Sequence, residues 1–328
     1  TSVALMMLHE AGAFQLGDRV SRFLPQWRDL KVYESGSHPD FITRSCEREM
    51  TVRDLMTHQS GLTYGFMERT PIDAAYRKLR VETRFHHDLG GMVDQLAELP
   101  LEFSPGTKWN YSVSTDILGR LVEVISGQCL DRFLEERIFE PLGMKDTSFH
   151  VPESQRDRFA ANYHRDAQKR LVLLDDPEES PFLRAPQLFS GGGGLISTAH
   201  DYFRFCQMLL DGGVLDGTRI LGRKTIELMT MNHLPGGQDL TDLAVGRYSE
   251  TTYDGIGFGL GFAVTLDLAR SQNVGSVGEY FWGGAASTAF WVDPSEELVV
   301  IFLTQFMPSG TFNFRGQLRS TVYPALVD

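Results

Sequence analysis

Near residue 255 the hydrophobic pattern changes its period, and this change constrains the fold more than any other feature of the chain. Upstream, apolar residues recur at helical spacing. Ile117, Leu118, Leu121, Val122 and Ile125 trace one stripe closed by Ser126-Gly127, and Leu130, Phe133 and Leu134 open a second that runs to Pro141. Downstream, residues 255–268, 274–282, 285–292 and 297–305 alternate or run apolar at strand length. The connections at 268–272 and 293–296 are short, as in antiparallel hairpins. Helices in the middle and an antiparallel meander near the end predict an α+β protein.

Local signals place the other elements. Val3, Ala4, Met7 and Leu8 are spaced for one face of a helix over residues 1–13, which Gly12 stops. Thr51 with Asp54 forms a capping box, after which Val52, Leu55 and Met56 face inward and Gly61 ends the segment. Thr198 with Asp201 forms a second box, opening a helix through 202–210 that ends at Gly212-Gly213. Residues 312–326 are helical by spacing, whereas 166–180 and the Gly-rich stretch 235–261 read as long loops. There is no internal repeat and no low-complexity linker.

Composition excludes several function classes. Lys+Arg at 31 against Asp+Glu at 43 gives a net charge of −12, so no basic surface for nucleic acid is expected. No apolar run approaches the roughly 18–20 residues that span a bilayer. The three cysteines, Cys46, Cys129 and Cys206, are widely spaced and imply neither a disulfide framework nor a zinc site, a usage that suits the cytoplasm and leaves the periplasm open. His9-Glu10 and His86-His87 have no partner at ligand spacing, so no metal is expected. Gly191–Gly194 precedes a helix, but no Gly-Lys-Ser/Thr follows, and the phosphate-loop reading fails. The alternate glycines 255, 257, 259 and 261 suit a strand approached closely by another backbone or by a ligand. No Gly-x-Ser-x-Gly occurs, which removes the common nucleophile elbow of α/β-hydrolases.

Two segments remain as candidate chemistry. In Phe103-Ser-Pro-Gly-Thr-Lys-Trp-Asn-Tyr-Ser112, a Pro105-Gly106 turn delivers Tyr111 just ahead of a well-marked helix. Taken alone, such a tyrosine packs and ties its hydroxyl to a neighbour. In Trp282-Gly283-Gly284-Ala285, paired glycines at a strand junction let a ligand approach the backbone, where a free N–H can bind an oxyanion. Taken alone, this is a tight hairpin.

Together these segments resemble the serine β-lactamase/penicillin-binding superfamily, and most closely its esterase branch, the family VIII carboxylesterases. The likeness runs through nearly the whole chain. It includes Leu55-Met-Thr-His-Gln-Ser-Gly-Leu62, Pro105-Gly106 with Tyr111-Ser112, Phe139-Glu-Pro-Leu-Gly-Met144, Gly191-Gly-Gly-Gly-Leu195 with Ser197-Thr198, Trp282-Gly283-Gly284, and Phe290-Trp-Val-Asp-Pro294. The resemblance implies a β-lactamase/transpeptidase-like fold, an antiparallel sheet flanked by helices plus a mainly helical subdomain. On this reading 1–328 is one such domain lacking its N-terminal portion, with the helical subdomain over roughly 40–200 and the α/β subdomain built from 1–39 and 201–328.

It also implies a serine hydrolase that cleaves short-chain carboxylic esters through an acyl-enzyme, without metal or organic cofactor. Tyr111 is the expected proton shuttle, Ala285 the oxyanion donor through its N–H, and Trp282, Gly283, Gly284 and Ser112 the groups lining the substrate. The family's nucleophile belongs to a Ser-x-x-Lys pair, and no serine in this chain has a lysine three residues on. The resemblance puts that pair about half a dozen residues upstream of Thr1, on the helix that opens this chain, with further strands upstream completing the sheet. The chain by itself is therefore expected to be inactive. Val113 stands where β-lactamases carry an amide, and Trp282 where they carry a lysine or histidine, which favours neutral esters over β-lactams. The alternatives are a β-lactamase or D-Ala-D-Ala peptidase, and a nucleophile-less pseudoenzyme with a binding or scaffold role. Ser60 or Ser190 acting as nucleophile is a further variant, disfavoured because neither has a lysine at helical spacing.

Overall fold

Most of the helices follow from their caps and apolar stripes. A computed structural model of the chain describes residues 1–246 and 253–327. Helix Ser114–Ser126 buries Ile117, Leu118, Leu121 and Val122, and Gly127 closes it in the left-handed region at φ +72°. Helix Val52–Met56 opens with the expected reciprocal box between Thr51 and Asp54. It stops at Thr57, short of Gly61, whose positive φ serves a close approach to the Phe103 carbonyl instead. Helix Ser2–Glu10 buries four consecutive residues, Val3 to Met6, and so is enclosed on all sides at its start rather than on one face.

By packing, the chain divides into two compact units. One comprises Thr1–Pro141, Pro186–Gly194 and Asp242–Gly246; the other comprises Leu142–Ala185, Leu195–Thr241 and Arg247–Asp328. Residues 1–39 thus group with the helical stretch that follows them and not with 201–328, because helix Ser2–Glu10 packs on helix Ser114–Ser126. Residues 142–185 group with the C-terminal sheet region because strand Asn162–Arg165 pairs in parallel with Phe306–Met307.

The first unit is mainly helical, with one antiparallel strand pair, Lys31–Ser37 against Asp40–Ser45. The second is built on a five-stranded antiparallel meander, Ile256–Phe258, Ala263–Thr265, Tyr280–Gly283, Ala289–Asp293 and Leu298–Phe302, each strand beside its sequence neighbour. Alternation sends Trp282, Phe290 and Val292 to one face, where Tyr202 of helix Ala199–Leu210 meets Phe290 edge-on at 5.1 Å. Phe281 and Trp291 point to the other face, and the Arg319 guanidinium from helix Phe314–Val322 lies over both rings, 5.1 and 4.7 Å from their centroids.

Several expectations are corrected. The run 255–268 is two strands, because Gly259 sits against the Met229 carbonyl and Gly261 turns the chain at φ +103°. Residues 274–279 carry no strand, and 268–272 is a short helix, Leu268–Ser271. Within the stretches read as loops, Leu171–Asp175 is a strand paired with Asn162–Arg165, and Leu240–Leu243 is a helical turn. Of the stretch 235–261, residues 247–252 lie outside the described ones. Among the described residues no helix is long and apolar enough to cross a membrane.

Candidate functional site

The candidate residues fall in the two units, and each group is built by its own surroundings. In the first unit the segment before helix Ser114–Ser126 runs alongside residues 58–63. The Gly106 N–H donates to the Gln59 carbonyl at 2.8 Å, Asn110 N–H to His58 at 2.9 Å, and Val113 N–H to Thr63 at 3.2 Å. The Asn110 amide, buried, donates to the Leu62 carbonyl at 2.9 Å and to Glu102 at 3.0 Å, and accepts from Arg69 at 2.8 Å. These bonds fix the backbone on either side of residue 111. From Trp109 through Ser114, Tyr111 alone is not buried. Its ring rests between those of His58 and Tyr64, at 4.9 and 5.1 Å.

His58 is fully enclosed and takes a left-handed backbone at φ +54°. Its Nδ1 accepts the Ser112 N–H at 3.3 Å. Burial pulls the imidazole down to about 3, so the ring is neutral at ordinary pH and places no positive charge beside Tyr111. Tyr64 is anchored from behind: its hydroxyl bonds Asp116, which also accepts from Ser190 Oγ and the Gly192 N–H. Burial raises the Asp116 carboxyl above its usual range.

Ser112, expected to line the substrate, is at 0 % exposure. Its hydroxyl bonds Ser114 Oγ at 2.8 Å and lies 3.3 Å from His58 Nδ1, packed on the inner side of Tyr111. The same hydroxyl chain continues from Ser114 to Ser60 at 2.7 Å. Ser60 is therefore buried and engaged, and the half-buried Ser190 hydroxyl donates to Asp116.

In the second unit, Trp282 and Gly283 end a strand, with Trp282 opposite Phe290 and Gly283 opposite Ala289. The turn that follows closes on itself: Gly284 N–H donates to the Thr288 carbonyl, and Ser287 N–H to the Gly284 carbonyl, each at 3.0 Å. It is also pinned from outside. Ser287 Oγ donates to the Phe306 carbonyl at 2.7 Å, and Phe306 N–H to Ala286 at 3.0 Å. Ala285 stands exposed at the tip, and among the described residues its N–H has no acceptor. A Cβ at 283 would displace the Arg315 guanidinium, and one at 284 would press on the Thr288 hydroxyl. Trp282 is half-buried, edge-on to Phe258 at 5.5 Å.

Sequence reasoning singles out Tyr111 and the Trp282–Ala285 turn but not the residues that hold them. His58 and Tyr64 lie in or beside a quoted motif, yet nothing local says that they flank Tyr111. Arg315 lies about thirty positions beyond the turn it grips, and carries no local signal at all.

The Beta-lactamase family model matches residues 1–320 of the chain. Protein Rv1367c of Mycobacterium tuberculosis is 35% identical over 311 residues, covering 94% of this chain and 75% of that protein. Esterase EstB of Burkholderia gladioli is 30% identical over 333 residues, with coverages of 94% and 75%. Among solved structures, EstCE1, titled a hydrolase with promiscuous acyltransferase activity, is similar at a TM-score of 0.77 and 26% identity, covering 98% of this chain and 81% of its own.

Proposed function

The chain belongs to the Beta-lactamase family, and from that premise we propose that it carries the proton-transfer and oxyanion-binding groups of a serine hydrolase that cleaves short-chain carboxylic esters. The presence of an esterase and of a hydrolase with acyltransferase activity among its relatives supports acyl transfer as the reaction class. One observation carries the assignment. From Trp109 through Ser114, Tyr111 is the one side chain that is not buried, and buried groups on both sides hold it there.

The reading takes the nucleophile to be a serine with a lysine one helical turn on, a pair that does not occur within residues 1–328. The serine oxygen adds to the ester carbonyl while its proton passes to Tyr111 acting with the lysine. Because His58 is neutral, the cation that favours the tyrosinate is the lysine. The carbonyl oxygen, now carrying the negative charge, is held by the serine's own N–H and that of Ala285. Tyr111 returns the proton to the departing alkoxide as the C–O bond breaks. Water then adds to the acyl carbonyl as its proton passes to Tyr111, the bond to the serine oxygen breaks as Tyr111 returns a proton to it, and the acyl group leaves as the free acid.

Esters are favoured over β-lactams for a physical reason. Val113 is fully buried at the helix start and offers no amide, and Trp282 brings no cation to meet a carboxylate. Losing such a charge-assisted bond costs about 1.5–3 kcal/mol of recognition. The test is Tyr111→Phe in the full-length protein, assayed on a p-nitrophenyl butyrate substrate. The variant should lose a factor on the order of 10²–10⁴ in kcat, and near-wild-type turnover would overturn the assignment.

A further inference from the structure

The turn that presents Ala285 is gripped from behind by a cation. Arg315, in helix Phe314–Val322, donates from one nitrogen, Nη2, to the carbonyls of Gly284 at 3.2 Å and Thr288 at 2.9 Å. These two carbonyls mark the two ends of the turn. The first of them has a particular consequence. The Gly284 carbonyl and the Ala285 N–H belong to the same peptide group, which is planar and trans, so the two bonds point in opposite directions. A donor that fixes the carbonyl on one side therefore fixes the direction of the N–H on the other. Because that donor is charged, it also draws electron density through the amide and makes the N–H a stronger donor.

The guanidinium reaches this position only because residue 283 has no side chain; a Cβ there would occupy the same space. Gly283 thus admits the arginine, and Gly284 supplies the peptide that it holds. We propose that Arg315 is a positioning residue for the oxyanion donor, acting through the Gly284–Ala285 peptide and touching no substrate itself. This inference rests on the reading of Ala285 as oxyanion donor given above.

The geometry also supplies a specific test. Arg315 borders a cavity of about 310 Å³ lined by Phe281, Trp282, Trp291, Asn313 and Phe314 among others, so a guanidinium lost from the side chain can be replaced from solution. In the full-length enzyme, Arg315→Ala should lower kcat about 10- to 100-fold, less than the loss of an oxyanion donor outright. KM should stay within about threefold of wild type, since the ground-state ester does not depend on this peptide. Added methylguanidinium should restore much of the lost kcat in Arg315→Ala and leave the wild type unchanged. Gly283→Ala, which displaces the guanidinium without deleting it, should show the same kcat loss without rescue.

Arg315→Ala turning over at the wild-type rate, or a loss that methylguanidinium does not repair in a variant whose melting temperature is unchanged, would overturn the proposal. If Arg315→Ala fails to fold, Gly283→Ala decides it: an unchanged kcat there contradicts the proposal, and a selective fall in kcat supports it. A fluorophosphonate probe on the wild type separates the two levels. Labelled wild type with an indifferent Arg315→Ala refutes this inference alone, whereas an unlabelled wild type without ester turnover refutes the functional reading beneath it.

Discussion

Replacing His58 by Asn should change how stability depends on pH, by an amount that follows from the burial of this ring. His58 titrates near 3 in the folded chain because burial disfavours its charged form, against about 6.5 when unfolded. Between those values the unfolded state binds a proton that the folded state does not. The contribution is therefore full above the unfolded value and is lost as pH falls, with a limiting slope of about 1.4 kcal/mol per pH unit. From about pH 7 to about pH 5 the loss from this group amounts to about 2 kcal/mol. Asn is the suitable replacement, since it tolerates the left-handed backbone at φ +54° and its amide oxygen can accept the Ser112 N–H. The assay is urea unfolding of both proteins across that range. Other titrating groups cancel in the difference, including Glu82, whose carboxyl burial raises to about 7 and whose contribution runs the opposite way, weakening the fold as pH rises through its folded value. The wild type should lose about 2 kcal/mol more than the variant on acidification. A difference between the two that is the same at both ends of the range would refute the neutral, buried His58 and with it the uncharged setting of Tyr111.

Two further predictions follow from the same structure. Arg319→Met leaves the Glu279 carboxylate, buried at 1 % exposure with Thr265 and Tyr323 as its remaining partners, without its cation, and should cost about 3–5 kcal/mol in urea unfolding; a loss below about 1 kcal/mol would show that the pair is not closed to water. With Val113 buried and Trp282 ahead of the paired glycines, the full-length enzyme should hydrolyse p-nitrophenyl butyrate faster than nitrocefin, and the reverse order would select the β-lactamase reading.

What could be read ahead of the structure was the part governed by neighbours in sequence. The Thr51–Asp54 box and the Ile117–Val122 stripe are local, and both stand as expected. The Thr198–Asp201 pair has the same local signature but forms only half a box. Thr198 accepts the Asp201 N–H, while the Asp201 carboxylate turns to the Asp146 N–H and the Thr147 hydroxyl at 2.7 and 2.9 Å. A distant partner wins there because it satisfies a buried acid with two donors. The strand Leu171–Asp175 was hidden for a different reason. Leu171, Val172, Leu173 and Leu174 are all exposed, so the pairing shows no inward-outward alternation to detect.

The same division holds at the site. Tyr111 and the paired glycines carry a motif and can be singled out from the sequence. That Ser112 points inward depends on His58, 54 positions away, and that Arg315 bonds the turn depends on a helix folded back behind the sheet. Neither relation leaves a periodic or spacing trace. A residue that holds a candidate group is thus less legible than the group itself, because its placement comes from tertiary packing alone.

The central claim is that these residues serve a serine acyl-enzyme mechanism. It is tested most directly by treating the full-length protein with a fluorophosphonate probe and mapping the modified peptide. The account predicts a single label on a serine followed three residues later by lysine, blocked by prior incubation with a reactive ester. A label on Ser60 or Ser190, or ester turnover by a protein that takes no label, would contradict it.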